Sequence, residues 1–109
     1  MRIGRIERLI LVNLLEMEEN VPENPYQIDY SAKYTRRYWG ERIPTLGIRN
    51  RIYGRDVGPS ERASFSRALR RLEEKGLIRA WNHAGWGEKD YRTHVKLTEE
   101  GKKIAKAKR

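Results

Sequence analysis

Apolar residues recur at helical intervals in several stretches of this chain and alternate with polar ones in another. Over residues 2–18, Ile3, Ile6, Ile10, Leu14 and Met17 follow at three- and four-residue steps, and Leu9 and Leu15 widen the stripe. That spacing predicts an amphipathic helix. Arg5, Glu7, Arg8 and Glu16 fall off the stripe, and the proline-rich stretch Val21 to Pro25 ends it. In residues 26–39, Tyr26, Tyr30, Tyr34 and Tyr38 occupy every fourth position and Trp39 follows, while Lys33, Arg36 and Arg37 share another side. On a helix these tyrosines either pack on the first helix with their hydroxyls at the rim or form a stacking surface for single-stranded nucleic acid.

Gly40 to Pro44 interrupts that pattern. Thr45 is placed to cap a short helix over 46–53, with Leu46, Ile48, Ile52 and Tyr53 as candidates for its buried side. A turn, Gly54 to Gly58, leads to Pro59, which suits a first helical position because its missing donor is not needed there. Over residues 59–75, stepping about 100° per residue, Phe65, Ala68, Leu69 and Leu72 share one sector. Ala63, Ser66, Arg67, Arg70 and Glu74 lie opposite, with Ser60 and Arg71 beside them. Gly76 is a left-handed stop. A hairpin follows: a strand over 78–82, a loop over 83–90, and a strand in which Tyr91, Thr93, Val95 and Leu97 alternate with Arg92, His94 and Lys96. Thr98 caps a final helix whose Glu99 and Glu100 suit its positive end, and Lys102 to Arg109 are expected to fray.

These elements predict one domain over residues 1–109, mainly α with a small β-hairpin. The length, 109 residues, is that of a single core. The chain has no cysteine and two histidines, which excludes disulfides, thiolate metal sites and a histidine-rich metal centre. No glycine-rich phosphate loop, nucleophile elbow or catalytic triad spacing is present, so no enzyme and no cofactor is expected. Glu73 and Glu74 point in different helical directions and read as solvated surface. The longest apolar run, Leu9 to Val12, spans no membrane, and no signal-like hydrophobic region is seen, so a cytoplasmic protein is expected.

Charge changes the picture most. Lys and Arg number 24 against 15 Asp and Glu, a net +9. Residues 1–25 carry −2, 26–58 +4, 59–80 +3, 81–95 none and 96–109 +4. A domain this basic attracts phosphate. Charge-rich surfaces and scarce glutamine and cysteine also suit a hot habitat, but a thermophile surface enriches both signs and does not by itself account for the excess.

The run 67–79, Arg-Ala-Leu-Arg-Arg-Leu-Glu-Glu-Lys-Gly-Leu-Ile-Arg, and the run 95–105, Val-Lys-Leu-Thr-Glu-Glu-Gly-Lys-Lys-Ile-Ala, together resemble the winged helix-turn-helix domains of MarR-like and PadR-like transcriptional regulators. The resemblance covers residues 45–105. It implies a helix-turn-helix (45–76), a wing (77–97) and a closing helix (98–109), which join the N-terminal helix (1–19) and the Tyr-rich helix (26–39) read from periodicity. It implies a DNA-binding transcriptional regulator whose helix 59–75 enters the major groove.

The residues agree with that expectation. A groove-reading face must be slim and rich in donors. Ala63 and Ser66 are slim, and Arg67 and Arg70 reach guanine edges or phosphates. Ser60 and Ser64 sit near the helix start, where backbone N–H groups favour phosphate. Arg71 flanks this face, Arg49, Arg51 and Arg55 lie on or beside the preceding helix, and Lys89 and Arg92 are the wing's cations. Trp86 either reaches out from the wing tip or folds back beside Trp81, and His83 and His94 read as ordinary polar strand residues. Two other functions fit the charge: an RNA-binding or ribosome-associated winged-helix protein, and a winged-helix module for acidic protein partners. A homodimer is expected, with Leu11 and Leu15 of the first helix left for the partner.

Overall fold

The broad stripe of the first helix becomes the centre of the molecule. The structure, a computed structural model, describes residues 2–21, 40–82 and 92–109. The expected Tyr-rich helix 26–39 and the wing loop 83–90 lie outside the described residues. Helix α1 (Arg5–Glu19) buries Ile10, Leu11 and Leu14 completely and Leu15 and Met17 almost so. Helices α2 (Thr45–Tyr53), α3 (Pro59–Glu74) and α4 (Glu99–Lys108) and the sheet all pack against it. A helix surrounded on several sides needs apolar residues on more than one face. Leu11 and Leu15 are therefore core residues of the single chain, which corrects their expected place at a dimer interface.

Three short strands form one antiparallel sheet in the order β1-β3-β2, from β1 (Ile43–Pro44), β2 (Ile78–Trp81) and β3 (His94–Leu97). The stretch Gly40 to Pro44, expected only as a break, thus supplies an edge strand. Two residues with a proline carry no readable alternation, and an edge strand tolerates the missing N–H. The added strand makes β3 central, and His94 lies between Pro44 and Trp81 in register. His94 is fully buried, with Nδ1 2.8 Å from the Thr93 hydroxyl, rather than an ordinary polar strand residue with a wet side. Thr45 is corrected too. Pro44 takes the cap position, and buried Thr45 donates its hydroxyl to the Arg92 carbonyl at 2.8 Å and its N–H to the Thr93 carbonyl at 2.9 Å. Those bonds tie the start of α2 to the entry of β3.

Helix α3 buries the sector the wheel selects: Phe65, Ala68, Leu69 and Leu72. Truncating fully buried Leu72 to alanine would cost about 2–5 kcal/mol. Pro59 stands in the first turn, and Gly76 ends the turn region at φ 73°, a conformation that disfavours any other residue. The Leu77 N–H then bonds back to the Leu72 carbonyl at 3.0 Å. At α4 the Thr98 hydroxyl accepts from the Gly101 N–H at 3.0 Å. A Cβ at Gly101 would collide with the Leu77 carbonyl oxygen, so glycine there sets how closely α4 approaches the start of β2. Helix α4 extends through Lys108. Ala105 is buried, Ile104 packs on the core, and Arg8 donates to the Lys108 carbonyl at 3.3 Å.

Candidate nucleic-acid interface

The buried sector of α3 fixes what the rest of that helix can do. With Phe65, Ala68, Leu69 and Leu72 turned to the core, Ser60, Ala63, Ser66, Arg67, Arg70 and Arg71 are all exposed and Ser64 is half-exposed. At 1.5 Å per residue α3 is about 24 Å long, which presents several successive turns on one outward strip. The Arg67 guanidinium lies 3.4 Å from the Ser64 hydroxyl, a weak contact that leaves its other donors for a partner.

Two clefts flank the strip. On the α1 side, Arg5, Ser64, Arg67 and Arg71 line a cleft of about 240 Å³ together with Glu7. Glu7 is nearly buried and is engaged by the Lys75 ammonium, which also donates to the Arg2 carbonyl at 2.7 Å. On the α2 side, Leu46, Arg49, Asn50, Arg55 and Arg62 line a cleft of about 450 Å³. Arg49 also lines a small cavity with Ser66 and Arg92, so that cleft adjoins the outward strip of α3. Among the described residues, none of Arg5, Arg49, Arg55, Arg62, Arg67 and Arg71 has a carboxylate within ion-pair distance.

Two of the expected site residues are engaged by the chain's own carboxylates. Arg51 turns toward α1, where it pairs with Glu16 and donates to the Asn13 side chain at 3.1 Å. A short helix presents four-residue neighbours on one side but successive arginines on different sides, so Arg49 and Arg51 part company. Arg92 is largely buried and its guanidinium grips Glu73 at 2.6 Å and 3.0 Å. It clamps the root of β3 to α3 instead of reaching from the wing. Glu73 is accordingly an ion-pair partner and not plain solvated surface, whereas Glu74 is exposed. Lys89, Trp86 and His83 lie outside the described residues.

Sequence reasoning missed Arg5, Arg62 and Asn50. Arg62 falls at the edge of the greasy sector on the wheel, and Arg5 belongs to an element that carries net negative charge. Only the packing of α1 and α2 beside α3 gathers them. It also missed the setting of Trp81, whose ring is faced by the Arg42 guanidinium at 4.4 Å and the Arg79 guanidinium at 5.3 Å. Tyr53 packs edge-on against Phe65, and burial pushes its hydroxyl pKa up, with Glu61 adding to the shift and Arg5 opposing it.

Among the described residues no group of three metal-ligating side chains exists, and no helix is long and apolar enough to cross a membrane. Compared with protein-family models, with curated proteins and with solved structures, the chain matches none.

Proposed function

We propose that the protein is a winged-helix DNA-binding protein and acts as a transcriptional regulator, with α3 in the major groove and its basic flanks on the phosphates. The order α1-β1-α2-α3-β2-β3-α4 with sheet order β1-β3-β2 supports the winged-helix reading. One observation carries the function: the outward strip of α3 is slim, arginine-bearing and bordered on both sides by arginines that form no ion pair with a carboxylate among the described residues, the one acid in these clefts, Glu7, being engaged by Lys75. Like charges held together destabilise a folded chain, so such a cluster serves a polyanion better than it serves the fold. The groove is about 12 Å wide and admits one helix, and slim side chains at 63 and 66 let the backbone approach while Arg67 and Arg70 reach base edges.

The test is a titration of labelled duplexes over a salt series, followed by footprinting on genomic DNA from the source organism. Tight, salt-sensitive duplex binding with protected sites supports the proposal. Structured RNA that displaces the duplex at lower concentration would move the reading to RNA. No binding to either at low salt would leave a protein-interaction module.

A further inference from the structure

The cleft between α2 and α3 offers three cationic donors and, among the described residues that line it, no carboxylate. On the α1 flank of α3 a carboxylate, Glu7, sits among the arginines, whereas none of the described residues lining the α2–α3 cleft is acidic. Three guanidinium groups and one amide, from Arg49, Arg55, Arg62 and Asn50, share it. The Arg49 Nε is also buried and has no hydrogen-bond partner among the described residues. A buried, charged donor left unsatisfied is costly, and native proteins rarely keep one without a ligand or a role. Cations crowded in one concavity repel one another as well.

A compact anion with several acceptor oxygens removes both costs. Phosphate oxygens match the guanidinium fork bidentately. A backbone carbonyl or a water could satisfy the one donor but would leave the three charges unopposed.

We propose that the α2–α3 cleft is a binding site for a single phosphate group, held by Arg49, Arg55 and Arg62 with Asn50 as the neutral donor. Its natural occupant, a phosphodiester of the duplex, rests on the function proposed above, since the cleft adjoins the outward strip of α3. A free phosphate ion is the other source of the same chemistry.

The full-length chain is titrated with inorganic phosphate and, separately, with a short duplex, while the Arg Nε–Hε signals are followed by NMR. The expected result is that the Arg49 signal shifts and saturates in both titrations. In duplex binding, Arg49→Gln and Arg62→Gln should each lower the slope of log affinity against log salt by about 1, with the preference among duplex sequences unchanged. If Arg49→Gln does not fold, the exposed Arg55→Gln and Arg62→Gln carry the slope measurement. An Arg49 signal unmoved by either ligand, with wild-type slopes in the variants, overturns the site. Duplex binding with unaltered slopes rejects the cleft but keeps the DNA reading. Saturable phosphate binding that shifts Arg49, with no nucleic acid bound at low salt, keeps the site as one for free phosphate and rejects the DNA reading.

Discussion

The same residue types are put to two uses in this molecule. Near α1, α4 and β3 several cations meet the chain's own carboxylates: Arg51 with Glu16, Lys75 with Glu7, Arg109 with Glu19, Lys96 with Glu41 and Lys102 with Glu99, although Arg8, Lys103, Lys106 and Lys108 meet none among the described residues. On α3, Glu73 is taken by Arg92, whereas Arg5, Arg49, Arg55, Arg62, Arg67 and Arg71, which lie on or beside that helix, meet no carboxylate among the described residues. A net charge of +9 says that something negative is wanted, but not where. Pairing says where, because a neutralised cation contributes little to the field at a ligand's approach while an unneutralised cluster dominates it.

The largest expected effect is on the unpaired side. If about six arginines each displace one counterion, duplex affinity should fall about a thousandfold between roughly 50 and 200 mM salt. Fluorescence anisotropy measures it, and a flat response would erase the contrast between the two regions.

Next is the pair on the neutralised side whose carboxylate is nearly buried. Lys75→Ala strands the Glu7 carboxylate, which is 5% exposed, and should destabilise the fold by about 3 kcal/mol in denaturant titrations. Duplex affinity of the fraction that remains folded should hardly change. A large loss of affinity with intact stability would mean that Lys75 belongs to the interface.

Third, Arg67→Ala and Arg70→Ala should weaken specific duplex binding by about 1–3 kcal/mol each, if they read bases. Lys106→Ala, on the exposed side of α4, should cost much less. Equal losses at all three positions would remove α3 from the role of reader. Arg51→Ala refines the point, since its exposed pair with Glu16 is worth about 0–1 kcal/mol and it should change neither stability nor binding much.

The smallest effect concerns Glu18. Burial pushes its carboxyl pKa up, opposed by the Leu97 N–H, which donates to it at 3.1 Å, and by Lys102 and Lys96, with Glu41 adding a further upward push. With its folded pKa above the unfolded value, the native state holds the proton longer. Stability from this group is therefore lost as pH rises through that window, and the penalty is fully present above it. Glu18→Gln, which keeps an acceptor for Leu97, should raise the melting temperature slightly at neutral pH and not at all well below the ordinary carboxylate range. Partial exposure keeps the gain small. A gain that is equal at both pH values would assign it to something other than ionisation.

Some of this was legible in advance because it is local. The wheel positions of Phe65, Ala68, Leu69 and Leu72, the glycine at 76 and the cap at Thr98 depend on residues within a few positions of one another. The outward strip of α3 follows from the same wheel. Arg62 and Arg5 were not legible as site residues, because their roles come from helices distant in the chain. The grip of Arg92 on Glu73 was not legible for the same reason: the partner is nineteen positions earlier on another element.

The order of helices, the amphipathic face of α3 and the excess of positive charge are determined by the sequence itself, since periodicity, capping residues and composition are properties of short windows. Tertiary structure alone decided three things: that Ile43 and Pro44 make an edge strand and bury His94, that Leu11 and Leu15 go to the chain's own core, and that six arginines on and beside α3 form no ion pair among the described residues. Each is a choice of neighbour made across long stretches of chain. A one-dimensional pattern specifies which face of an element is apolar or charged, but the identity of what meets that face depends on how all the other elements fill the space around it.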